Sequence, residues 1–323
     1  MIPIVSAALA FAVLAGHAAP AAAEDYPARP LRIVVPYPAG GTSDILARSI
    51  GQKLGESLGQ PVVVENKPGA NGNVGADLVA KAPPDGYTLL LADIGALAIS
   101  PSVYPTLPFD PTKDFAPVTM VAYSPHILVV HPAVAASSVK ELIALAKAKP
   151  GKLNFAISGV GGAPHLAGVD FALRTGIDWA YIPYKGGSQA IADVAGGQAD
   201  VTMNGMLATY PLVQGGKLKL LAVSSARRMS AIPDVPTLAE SGLAGFESGS
   251  WQGVVAPAGT PRNVVARLNA EITRIVNSPE MRDNLGKQGA DVRTNTPDEF
   301  AAFIRGEKMK WAKVVKDANV KID

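Results

Sequence analysis

Residues 31–47 read LRIVVPYPAGGTSDILA, and the fold class follows from how that stretch changes character. A β-branched run, Arg32-Ile33-Val34-Val35, is broken at Gly40-Gly41, and Thr42-Ser43 then open a pattern with Leu46, Ile50, Leu54 and Leu58 four apart on one helical face. Strand, glycine turn, helix is the start of a βα unit. Residues 153–167, LNFAISGVGGAPHLA, repeat that order with Ser158-Gly159-Val160-Gly161-Gly162-Ala163-Pro164 as the turn. Short apolar runs at 62–64, 87–91, 127–130 and 220–223 alternate with helical patterns, which argues for parallel sheets flanked by helices. Ser138 with Glu141, Thr260-Pro261, and Thr296-Pro297 with Glu299 mark later helix starts. Phe300, Phe303, Ile304, Trp311 and Val314 predict a buried stripe on the last helix.

The echo predicts two α/β lobes with a cleft between them, one from residues 24–123 plus 250–323 and the other from 124–249. Crossovers near residues 122–125 and 248–251 would let one lobe close on the other as a hinge. The chain of 323 residues is 48% hydrophobic and 17% charged, enough to bury a core without staples. With 29 basic against 27 acidic side chains, scattered along the chain, it offers no electrostatic footprint for nucleic acid. It has no cysteine, which excludes disulfides and thiolate chemistry. Residues 1–23 are uncharged, apolar from Ile2 to Leu14, and end in Ala21-Ala22-Ala23, the pattern of a cleavable secretory signal that would leave a soluble chain outside the cytoplasm.

A strand that ends in Gly-Gly and feeds a helix leaves unpaired N–H groups at the mouth of the sheet, where they bind anions. Two such loops facing across a cleft would each hold one end of a small carboxylate. Asp44, in the first helical turn, is placed to orient its loop. His165 either hydrogen-bonds a ligand or ties down the second loop. Asp93, at the end of a predicted strand, either faces the ligand, repelling a second carboxylate and favouring an amino or hydroxyl group, or caps a turn. Gly159-Val160-Gly161-Gly162 misplaces the third glycine of a dinucleotide fingerprint, and neither HExxH, GxSxG nor a P-loop occurs. His126 and His131, five apart on a strand, point to opposite faces, so no metal or cofactor is expected, and no catalytic set of nucleophile, base and orienter can be assembled.

Landmarks such as YPARPLRIVVPYPAGGTSDILAR (26–48), LGQPVVVENKPGANGNVGA (58–76), PGKLNFAISGVGGAPHLAG (150–168), IPYKGGSQAIADVAGGQAD (182–200) and WQGVVAPAGTP (251–261), in this order, carry a specific likeness. The sequence resembles the Bug family, the tripartite tricarboxylate transporter substrate-binding receptors, over residues 26–318. The resemblance implies a periplasmic, non-enzymatic receptor of the type II periplasmic-binding-protein fold that closes over a small carboxylated solute (a di- or tricarboxylate, an amino acid or an aromatic acid), and a receptor whose cleft must open is most simply a monomer. It would deliver that solute to the membrane components of a secondary transporter. A solute sensor feeding a signalling receptor, or an enzyme on the same fold, are the competing readings. Carried over by position, the first anchor would be Tyr37, Ala39, Gly40, Gly41, Thr42 and Asp44, and the second Ser158, Gly159, Val160, Gly161, Gly162, Ala163 and His165. Many relatives carry serine where Ala163 stands, which removes one hydroxyl donor from the implied site.

Overall fold

The computed structural model describes residues 26–317; the expected signal segment, with His17 in it, lies outside the described residues. In chain order the first part runs β1 (Leu31–Val35), α1 (Thr42–Leu58), β2 (Val62–Asn66), a 3-10 turn (Ala70–Gly72), α2 (Asn73–Ala80) and β3 (Thr88–Asp93). A π-helical turn (Gly95–Ile99), α3 (Ser100–Val103) and the long β4 (Phe115–Val130) follow. The chain continues through α4 (Val139–Ala148), β5 (Asn154–Ser158), α5 (Ala163–Thr175), β6 (Ala180–Tyr184), α6 (Gly187–Ala195), β7 (Val201–Gly205), α7 (Met206–Gln214) and β8 (Lys219–Val223). It returns along β9 (Gly249–Pro257) to α8 (Arg262–Val276), α9 (Pro279–Lys287), β10 (Asp291–Val292) and α10 (Pro297–Asp317).

The strands follow the order β2-β1-β3-β9-β4-β7-β5-β6, with β8 and β10 pairing with β4 off that path. β4 belongs to two sheets. Its first part pairs antiparallel with β9 from Phe115↔Pro257 to Pro125↔Gly249, and its second part pairs with β7 and β8 from His126 onward. Within the first sheet β1, β2 and β3 are parallel, and within the second β5 is parallel to β6 and β7. The alternating runs predicted this α/β architecture, and the family resemblance implied its periplasmic-binding-protein form.

Each sheet is covered on both faces, which explains why its strands read as unbroken apolar runs. Ile33, Val35, Leu89 and Leu91 pack with Leu46, Ile50 and Leu54 of α1 and with Leu268 and Ile272 of α8. Val34, Leu90 and Ala92, pointing the other way, meet α2, the π-helical turn, and Phe300 and Ile304 of α10. In the second sheet Phe155 and Phe171 stack on Trp179 at 4.4 and 5.3 Å between ring centroids. Each such fully buried apolar side chain contributes roughly 1.5–3 kcal/mol.

The helix starts read from sequence are present in two cases as reciprocal caps: Glu141 N–H donates to Ser138 Oγ (3.2 Å) while Ser137 N–H donates to Glu141, and Thr296 N–H donates to Glu299 (2.9 Å). Thr260 differs, because its hydroxyl donates back to the Pro257 carbonyl and α8 has no side-chain cap. The last helix also differs in one position. Val315 is buried and Val314 is 37% exposed, because eleven residues from Ile304 complete three turns whereas ten fall short of the buried face.

Candidate functional site

A cavity of about 60 Å³ lies between the carboxyl ends of the parallel strands of the two sheets, the position where open α/β sheets take ligands. β1 leads into Tyr37 and the loop to α1, β3 ends at Asp93, β5 ends at Ser158, and β7 ends at Asn204-Gly205; Tyr37, Asp93, Ser158, Asn204 and Gly205 all line the cavity. The middle of β4 and the start of β9 complete it with His126, Ser250 and Gln252. Strand alternation puts Ser250 and Gln252 on the cavity side, while Trp251 between them is buried against Phe300 and Phe303 and donates its indole N–H to Glu307 (3.1 Å).

Four helices begin at this cavity. Gly41-Thr42-Ser43 open α1, Ala163-Pro164 open α5, Gly187 opens α6, and Gly205 precedes α7. None of the four is capped by its own N-cap side chain, in contrast to α4 and α9, whose starts are capped by Ser138 and Ser278, although Leu207 N–H at the start of α7 donates to Ser124 Oγ (3.5 Å). Uncapped helix starts leave their first N–H groups and the positive end of the dipole facing the cavity. No Lys or Arg is among the described residues that line it, so backbone N–H groups are donors available there to an anion.

The polar side chains are held in place. Tyr37 donates its hydroxyl to Asp93 Oδ1 at 2.7 Å, and Gly95 N–H donates to the same oxygen at 2.9 Å. Burial pushes the Asp93 carboxyl up to about 6, against the opposing pull of Tyr37 and of the Gly95 and Ala96 amides. Burial, then the charge of Asp93, pushes the Tyr37 phenol well above its ordinary range, so it stays a donor. His126 is buried, shares a 2.8 Å hydrogen bond with Ser248 through Nδ1, and is pushed down to about 4 by burial, so it is neutral at pH 7. Asn204 Nδ2 donates to Ser158 Oγ at 2.7 Å and is held close to α6, where a Cβ on Gly187 would sit 2.7 Å from Asn204 Oδ1. Ser250 Oγ and Gln252 Oε1 are buried without a hydrogen-bond partner among the described residues.

The two glycine loops read from sequence meet this cavity in part. Tyr37, Gly41, Thr42, Asp93, Ser158 and Ala163 line it. Ala39 and Gly40 are not among its lining residues, and Gly40 lies against Ser188. Asp44 is buried behind the first loop, where it accepts from Gly40 N–H (2.9 Å), Arg48 and Asn66. Burial pushes its carboxyl up, and those donors outweigh it and hold the carboxyl below its usual range. Gly159 and Gly162 pack against Asn71, Val160 accepts from the Tyr104 hydroxyl (3.3 Å), and Gly161 N–H donates to His165 Nδ1 (3.0 Å). His165 thus ties down the second loop, edge-on to Tyr181, with its imidazole pushed down by burial.

Sequence reasoning passed over Asn71, Asn204, Ser250 and Gln252 and treated His126 only as a metal candidate. Asn71 carried a signal: it stands in a glycine-rich run and adopts φ 54°, a left-handed conformation that asparagine tolerates better than most residues. Its side chain packs against the second glycine loop, where a Cβ on Gly162 would lie 2.7 Å from Asn71 Oδ1. Asn204-Gly205 also had the strand-end, helix-start position of the two recognised loops.

Residues 46–320 match the family described as "Tripartite tricarboxylate transporter family receptor". The chain is 40% identical to Protein BugT of Bordetella pertussis over 97% of this chain and 96% of that protein. Among solved structures it is similar to the periplasmic binding protein BugD (TM-score 0.88, 36% identity, 92% of this chain and 100% of that one). It is also similar to R. palustris Rpa4515, solved with adipate (TM-score 0.90, 36% identity, 92% of this chain and 100% of that one).

Proposed function

This chain belongs to the tripartite tricarboxylate transporter receptor family, a family of solute-binding receptors and not of enzymes, and from that premise we propose that it captures a small carboxylated solute in the periplasm for a transporter of that type. Residues 26–123 with 250–317 form one lobe and 124–249 the other. The solute's carboxylate is held by N–H groups at the starts of α1, α5, α6 and α7, and closure about the β4 and β9 crossings brings both sets onto it. The closed receptor then presents a recognition surface to the membrane components of its transporter. The observation that carries this reading is the convergence of four helix starts, none capped by its own N-cap side chain, on one cavity whose described lining holds no Lys or Arg. The adipate in Rpa4515 is a carboxylate bound by a relative of the same fold.

Thermal unfolding of the purified chain against mono-, di- and tricarboxylates, amino acids and aromatic acids tests it. A ligand at a hundred times its dissociation constant stabilises by about 2.7 kcal/mol, a visible shift. The reading predicts at least one such shift with the ligand recovered chemically unchanged. Conversion of the ligand, or no shift with any carboxylate after denaturation and refolding to strip bound solute, contradicts it.

A further inference from the structure

The cavity is lined by two chemically unlike sets of groups, and we propose that they select a small amino carboxylate, its carboxylate at the helix starts and its ammonium on the neighbouring carbon at Asp93. This rests on the receptor reading above and goes further by naming the substrate class. One set is the backbone N–H groups at the starts of α1, α5, α6 and α7, none of which is capped by its own N-cap side chain. In the other set, Asp93 and Gln252 are direct cross-strand partners on β3 and β9, with Ser250 two residues along the same face of β9.

The second set can accept. Among the described residues Asp93 is the only carboxyl lining the cavity, and Tyr37 and Gly95 lock it in one orientation. Gln252 is 1% exposed and Ser250 9% exposed, both line the cavity, and Gln252 Oε1 and Ser250 Oγ have no hydrogen-bond partner among the described residues. A buried polar atom without a partner is costly, so Gln252 Oε1, an acceptor, and Ser250 Oγ, which accepts or donates, point to a ligand group that brings hydrogens. An ammonium brings three and also the positive charge that the cavity lacks.

Charge decides between solute classes. Among the described lining residues there is no Lys or Arg and His126 is pushed down to about 4, so the only full charge they carry at pH 7 is the negative one on Asp93. A dicarboxylate would set its second carboxylate against Asp93 with nothing to neutralise either. A zwitterion meets each set of groups with the opposite charge. A hydroxy acid supplies one hydrogen and no charge, and ranks between them. The small volume, about 60 Å³, favours a compact ligand.

The test is calorimetric ranking on the intact chain with matched skeletons: alanine, lactate and propionate; norvaline and valerate; phenylalanine and phenyllactate; succinate and glutarate. The expected order is amino, then hydroxy, then unsubstituted acid, with dicarboxylates weakest and each amino acid about tenfold or more tighter than its unsubstituted partner. Asp93→Asn is expected to erase the amino advantage and to bring the dicarboxylates level with the unsubstituted acids. A dicarboxylate that binds the unaltered chain as tightly as the best amino acid overturns the inference whether or not the variant folds, and so does a folded Asp93→Asn chain with the original ranking. Dicarboxylate binding overturns this inference alone and leaves the receptor reading standing. Failure of every carboxylate to bind overturns both.

Discussion

Asp93 and His126 line the same cavity and pull stability in opposite directions with pH, which makes a paired measurement possible. Asp93 rises from 3.8 to about 6 on folding, so between those values the folded chain holds a proton that the unfolded chain has lost. Its contribution is therefore lost as pH rises through that window. His126 falls from 6.5 to about 4, so between those values the unfolded chain holds the extra proton and stability is lost as pH falls. Each shift of a little over two units corresponds to roughly 3 kcal/mol, and in the unaltered chain the two nearly offset each other between pH 4 and 6.5. Tyr37, the other titratable group facing Asp93, titrates far above this range.

Replacing one group unmasks the other. For Asp93→Asn, stability relative to the unaltered chain should improve by about 3 kcal/mol between pH 4 and pH 7; for His126→Gln it should improve by a similar amount in the opposite direction, from pH 6.5 down to pH 4. The assay is urea unfolding at half-unit steps from pH 4 to 7.5 without added ligand, read as the difference between variant and unaltered chain so that other carboxylates cancel. Differences that stay flat with pH for both variants would refute the argument that burial sets these two ionisations.

Three further outcomes follow from the packing. Phe171→Ala removes a ring stacked on Trp179 and fully buried, and should cost about 3–5 kcal/mol by chemical denaturation. Ser278→Ala removes the hydroxyl that accepts from Met281 N–H at the start of α9, and should cost about 1 kcal/mol in the same assay. Gly187→Ala puts a methyl 2.7 Å from Asn204 Oδ1 at the cavity wall, so ligand affinity measured by calorimetry should fall about tenfold or more, with a much smaller change in unfolding midpoint.

The parts of the fold that were legible in the sequence are those governed by local rules. The run 31–35, the glycine turn and the four-residue spacing of Leu46, Ile50 and Leu54 identify β1 and α1 because both faces of the sheet are covered and one face of the helix is buried. The echo at 153–167 located β5 and α5 for the same reason. Val314 was misplaced because the true drift of a long helix matters only after several turns. The site was less legible, because its side chains are assembled by strand pairing across long separations. Tyr37 reaches Asp93 over 56 residues, Asn204 reaches Ser158 over 46, and Gln252 comes beside Asp93 only because β9 returns antiparallel to β3. Ser250 and Gln252 flank Trp251, which points into the opposite core, and no local pattern marks them as cavity residues.

Small-angle X-ray scattering of the stripped chain, titrated with the tightest carboxylate found by calorimetry, tests the central claim most directly. Capture by closure predicts a radius of gyration that falls as ligand is added and levels off at one ligand per chain. A radius that does not change at saturating ligand would contradict it.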